Sequence, residues 1–170
     1  MTNFREAVAA LRKAEVSFVV VGAYAAVLQG SAQVTQDIDI CYERTAENMK
    51  RLAAALAPYH PSLRGAPPGL PFVLDGRALA QGMNFTFQTD LGDIDLLGEL
   101  SGVGHFSEVS KDAIALELNG IAVRVASLDT LIRSKRAAGR AKDLNALPEL
   151  EALKEMQRAD LQDKAKDKRE

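Results

Sequence analysis

Residues 34–42 read VTQDIDICY, and they place two aspartates, Asp37 and Asp39, inside what is otherwise the pattern of a buried β-strand. Ile38, Ile40 and Tyr42 alternate with Asp37, Asp39 and Cys41, a period of two. Both carboxylates therefore leave the strand on one face, with Cα atoms about 6.5–7 Å apart. Like charges that close repel, and aspartate is disfavoured in strands. Either this is the acidic face of a solvent-facing edge strand, or a cation belongs between the two carboxylates.

Working outward, the segment before it sharpens the choice. Residues 17–22 (SFVVVG) form a continuous apolar, β-branched run, the pattern of a strand buried on both faces. Residues 23–29 (AYAAVLQ) then read as a short helix stopped by Gly30. Gly22 and Ala23 thus mark a turn from strand to helix. Glycine there lets a backbone approach a ligand closely, and the first N–H groups of the helix face outward. Many such glycines serve packing alone. A second acidic strand follows at 93–97 (DIDLL), with Asp93 and Asp95 on one face, after a strand at 83–88 and a turn at 89–92. Two such strands can converge on one carboxylate cluster, and hard divalent cations take oxygen ligands. A basic run, KRAAGRAKD at 135–143, falls on a late helix capped by Ser127, with Arg136, Arg140 and Asp143 on one flank. Alone it reads as a solvated face.

The remaining elements are ordinary. Thr2 or Asn3 caps a first helix with Phe4, Val8 and Leu11 on one face, and Glu6 completes a capping box. Thr45 opens a helix to about Ala57 with Met49, Leu52 and Leu56 inward. Residues 58–71 are rich in proline and glycine and read as a surface loop. Asn119-Gly120 is a hairpin signal, and Pro148 lies in a last helical segment. We expect a single domain over residues 1–156 and a solvated or frayed charged tail over 157–170.

Composition narrows the function classes. The chain has 170 residues, 47% hydrophobic and 26% charged, enough for one real core. Its net charge of −2 gives no global attraction to nucleic acid or an anionic membrane. One cysteine and two histidines, His60 and His105, argue against a closed structural zinc site. The N-terminus carries early charges and an apolar run too short to span a bilayer, so we expect a cytoplasmic protein without a signal peptide.

Taken together, the glycine turn, DIDI thirteen residues later, the DIDLL strand and the basic helix resemble the nucleotidyltransferase superfamily with the DNA-polymerase-β-like fold. The segment VASLDTLIRSKRAAGRAKDLNAL is similar to the closing motif of the bacterial branch that includes AbiEii-type toxin nucleotidyltransferases. The resemblance runs over about residues 17–150, and it departs from the pattern at Ala23, Gln33 and Asn145.

The resemblance implies an α/β (α+β type) fold, a mixed twisted sheet flanked by helices with a helical C-terminal portion. It implies Mg²⁺, with Mn²⁺ as a substitute, on Asp37, Asp39 and Asp95. It assigns a nucleoside triphosphate to Gly22, Ala23, Thr35, Lys135 and Arg140; we expect Lys135 itself to be exposed on its helix and to contribute little to folding. The reaction implied is transfer of a nucleoside monophosphate to an acceptor hydroxyl with release of pyrophosphate. The acceptor stays open between an RNA 3′ end, a protein hydroxyl and a small molecule. So does a partner, whether an antitoxin or a second copy. Two other readings remain: a catalytically decayed nucleotide binder or toxin–antitoxin partner, and a two-metal phosphohydrolase.

Overall fold

The computed structural model describes residues 3–67 and 69–167, the last three by backbone alone. The alternative cap Thr2 and the tail residues 168–170 lie outside the described residues. In chain order the elements are α1 (Phe4–Lys13), β1 (Phe18–Val21), α2 (Gly22–Val27), β2 (Asp37–Tyr42), α3 (Ala46–Leu56), β3 (Ser62–Leu63), α4 (Gly76–Gln81), β4 (Asn84–Thr89), β5 (Gly92–Leu97), β6 (Glu99–Leu100), β7 (Gly104–His105), α5 (Phe106–Lys111), β8 (Ile114–Leu118), β9 (Ile121–Val125), α6 (Leu128–Ala138) and α7 (Ala141–Asp167).

Seven strands form one mixed sheet in the order β3-β4-β5-β2-β1-β9-β8. The expected mixed sheet with flanking helices and a helical C-terminal part is what the chain forms. β2 sits at the centre, antiparallel to β1 and parallel to β5, so the DIDI stretch is not an edge strand. Its alternation is realised in burial: Ile38, Ile40 and Tyr42 are fully buried on one face, while Asp37 and Asp39 reach partial exposure on the other. β1 is buried along its whole length, as a run of β-branched residues in a sheet interior should be. The core joins these to Leu52 and Leu56 of α3, Phe87, Ile94 and Leu96 of β4 and β5, Leu131 of α6 and Leu150 of α7. Each such side chain contributes about 1.5–3 kcal/mol by leaving water.

Local signals set the element ends. Asn3, Thr45 and Ser127 each accept a hydrogen bond from the backbone N–H three residues on, capping α1, α3 and α6. Asn119 and Gly120 both take positive φ, 48° and 84°, the hairpin turn between β8 and β9 that their sequence signals. Arg44 closes α4 from outside, donating to the carbonyls of Leu79 (3.1 Å) and Gly82 (2.8 Å).

Two expectations need correction. The 58–71 segment is not wholly loop, because Ser62 and Leu63 pair with Gln88 and Phe87 and extend the sheet by an edge strand. The basic stretch does not lie on one helix. Gly139, at φ 64°, terminates α6 in the left-handed conformation that glycine adopts without cost, and a new helix starts at Ala141. Arg136 consequently leaves the expected flank and pairs with Glu151 of α7. Beyond residue 156 the backbone stays helical to Asp167, with every side chain from 157 to 164 exposed. Among the described residues no helix is long and apolar enough to cross a membrane.

Candidate active site

The strand register assembles the carboxylates. Asp39 lies opposite Asp95 and Asp37 opposite Asp93 across the parallel β2–β5 pair. Asp37, Asp39 and Asp95 each present an oxygen within 4.8 Å of the others. Asp93 is not in that group; it and Asp95 both receive the Arg64 guanidinium. Thr35 fixes the first carboxylate, its hydroxyl donating to Asp37 Oδ1 at 2.8 Å.

Gly22 explains how the cluster fits against β1. A Cβ built on it would stand 2.0 Å from Asp39 Oδ2, and its φ of 68° is left-handed. Both facts demand glycine, so its first role is to make room for Asp39. Asp39 is the most perturbed of the three. Burial, then the charges of Asp37 and Asp95, push its carboxyl up to about 7, against the pull of Lys135 and Lys142. Asp95 is also raised, by burial first and then by Asp37 and Asp93, although Arg64 opposes this.

This donor set fits a hard divalent cation. Mg²⁺ takes oxygens at about 2.0–2.1 Å in octahedral array, so ligand oxygens on one ion lie about 3–4 Å apart. Three oxygens within 4.8 Å meet that condition with small side-chain adjustment. A buried carboxyl raised to about 7 beside two others is what a cation would relieve.

The opposite wall is basic. Lys135 near the end of α6 and Arg140 in the turn converge on Asp143, in the first turn of α7, at 2.9 and 2.5 Å. The Asp143 side chain has no exposure. Burial would raise its carboxyl, but hydrogen bonds from Arg140 and Lys135 prevail and hold it below the usual range. Lys135 is therefore not an exposed surface lysine; its side chain is 18% exposed and anchored. The pair and its counter-ion leave one net positive charge facing the triad.

Between these walls lies a cleft of about 390 Å³, lined by all eight residues expected from sequence: Gly22, Ala23, Thr35, Asp37, Asp39, Asp95, Lys135 and Arg140. Lys142, Asp143, Gln33 and Leu131 line it as well. Gln33, where the resemblance departs from its pattern, donates to Glu149 of α7 at 3.1 Å, and the Ala32 N–H donates to the same carboxylate. That pins the segment between α2 and β2 to the C-terminal helix. Sequence reading missed Arg64 and Glu149, each linked to the site over more than twenty residues of chain.

No protein-family model matches the chain, and no curated protein matches it. Solved structures do. A protein of Thermotoga maritima assigned as a nucleotidyltransferase superposes with TM-score 0.52 at 16% identity, over 91% of this chain and 90% of that one. The lincosamide antibiotic adenylyltransferase LnuA, solved with lincomycin, gives 0.57 at 12% identity over 89% and 98%. ANT(2″)-Ia in complex with adenylyl-2″-tobramycin gives 0.52 at 14% over 92% and 95%. The chain therefore has the nucleotidyltransferase fold across nearly its whole length.

Proposed function

We propose that the protein is a nucleotidyltransferase that moves a nucleoside monophosphate from a triphosphate to an acceptor hydroxyl. The observation that carries this is the juxtaposition of three carboxylates with an anchored lysine and arginine across one cleft. In the reaction an acceptor oxygen forms a bond to the α-phosphorus, the bond from that phosphorus to the bridging oxygen breaks, and pyrophosphate leaves. Asp37, Asp39 and Asp95 would hold the divalent ion, Mg²⁺ or Mn²⁺ in its place, which when bound would offset most of their charge and polarise the phosphate. Lys135 and Arg140 meet the β- and γ-phosphates, where charge builds on the departing group. Their prior attachment to Asp143 holds them in place, so little side-chain freedom is lost when substrate binds. Gly22 and Ala23 line the same cleft, where the triphosphate would pass against their backbone. Asp95, a carboxylate lining the same cleft, would take the acceptor's proton as the acceptor oxygen bonds to phosphorus.

We place the enzyme in the cytoplasm, consistent with its single buried free cysteine, Cys41. We keep it beside the AbiEii-type branch on its closing motif, with residues 1–156 as the working domain. Two of the similar folds are solved with an antibiotic or an adenylylated antibiotic. A small-molecule hydroxyl therefore stands beside RNA 3′ ends and protein hydroxyls among the acceptors to test. The experiment is a panel of the four nucleoside triphosphates with Mg²⁺, incubated with separated cellular RNA, protein and metabolite fractions. Pyrophosphate release with label in one fraction, absent in Asp39→Asn, supports the reading. Nucleotide binding without pyrophosphate would indicate a decayed binder, and free monophosphate without labelled acceptor a hydrolase.

A further inference from the structure

Arg64 reaches the carboxylate cluster from the far edge of the sheet. It follows the two-residue strand β3, crosses β4, and places Nη2 at 2.8 and 3.0 Å from the two Asp95 oxygens and Nη1 at 3.0 Å from Asp93. We propose that Arg64 is the resident cation of this cluster and that a divalent ion must compete with it for Asp95. The proposal rests on the reading of the triad as a metal site.

One guanidinium here occupies both oxygens of the third carboxylate. Each oxygen keeps a lone pair for a metal, but an ion bound there would sit beside a full positive charge. With metal–oxygen and nitrogen–oxygen distances of about 2 and 3 Å, the ion and the guanidinium are roughly 6 Å apart. Repulsion between charges of +2 and +1 at that distance, in water-like surroundings, corresponds to about a tenfold loss of affinity. In the metal-free protein the same charge is useful, since it offsets a cluster of four aspartates on two neighbouring strands.

The placement also lets Arg64 withdraw. Its side chain is about one-third exposed, its backbone is held by the Arg64 N–H to the Thr86 carbonyl at 2.9 Å, and Gly65 follows. The guanidinium can leave Asp95 for solvent while β3 stays paired and the core undisturbed. Arg64 is thus a positioning residue that keeps Asp95 aimed into the cleft and yields it to an ion.

The test uses the full chain, metal alone and no nucleotide. Mn²⁺ is titrated calorimetrically into wild type, Arg64→Gln, Arg64→Lys and Asp39→Asn, and each is melted in EDTA and in saturating Mn²⁺. Arg64→Gln should bind Mn²⁺ about three- to tenfold more tightly, melt lower than wild type in EDTA, and gain more from Mn²⁺. Arg64→Lys, which keeps the charge, should stay within about twofold of wild type. Unchanged or weaker Mn²⁺ binding by Arg64→Gln, or an unchanged melting point in EDTA, overturns the competition while leaving the metal site standing. Arg64→Lys as tight as Arg64→Gln also overturns it, because the lost fork rather than the lost charge would then be responsible. Wild type binding no better than Asp39→Asn overturns the metal site itself and the competition with it.

Discussion

Neutralising Asp39 should stabilise the metal-free protein, and the gain should depend on pH in a defined way. In the folded state burial, Asp37 and Asp95 push the Asp39 carboxyl from 3.8 up to about 7. The unfolded chain therefore gives up this proton at lower pH than the folded one does. For a raised carboxyl the penalty is absent below the unfolded value, grows between the two values and is constant above the folded one. A shift of about three units corresponds to about 4 kcal/mol at 1.36 kcal/mol per unit. Asp39→Asn, which keeps the shape and removes the charge, should therefore match wild type near pH 4 in EDTA and exceed it by about 2–4 kcal/mol at pH 8. The lower end allows for an amide less well satisfied than the protonated acid it replaces. For a chain of this size that corresponds to a melting point higher by about 4–15 °C. Saturating Mg²⁺ should raise the wild-type melting point and leave that of Asp39→Asn where it was. The assay is thermal unfolding followed by circular dichroism at pH 4, 6 and 8, with EDTA or Mg²⁺. If Asp39→Asn is less stable than wild type at pH 8 in EDTA, or the two show the same pH dependence, the electrostatic reasoning about this strand is wrong.

Lys135→Ala should lower kcat/KM for transfer by about 2–4 kcal/mol of transition-state stabilisation, and steady-state kinetics would show it. Because buried Asp143 then keeps Arg140 alone, the same variant should also lose about 1–2 kcal/mol of stability, read by denaturant unfolding. Gly22→Ala puts a methyl against Asp39 at a left-handed φ, so it should cost about 2–4 kcal/mol of stability and abolish Mn²⁺ binding; a silent substitution would mean that Asp39 is not packed there. Asp95→Asn should be inactive, whereas Asp93→Asn, outside the triad, should retain transfer within about tenfold; equal losses would place Asp93 among the ligands.

What could be read from the sequence was what local chemistry decides. Alternation in DIDI gave the face of each carboxylate, and Asn119-Gly120 gave the hairpin. Ser127 and Thr45 gave helix starts, because a side-chain oxygen needs only the next turn to act as a cap. Long-range placement was not legible in the same way. Nothing around Arg64 signals that it will cross a strand to reach Asp95, since that contact depends on β3 joining the sheet through only two residue pairs. A proline- and glycine-rich stretch hides so short a strand. The break at Gly139 did have a local signal, a glycine after a helical run. The basic residues on both sides suggested continuity instead, and the turn is what lets Lys135 and Arg140 meet Asp143.

The central claim is transfer of a nucleotidyl group, and its most direct test is the fate of two phosphorus labels. The protein would be incubated with Mg²⁺, the acceptor-containing fraction, and the same nucleoside triphosphate labelled at either the α- or the γ-phosphate. Stable label on the acceptor from the α-phosphate, with all γ-label recovered as pyrophosphate, is the predicted result, and Asp37→Asn should show neither. Transfer of the γ-label to the acceptor, or release of inorganic phosphate without labelled acceptor, would contradict it.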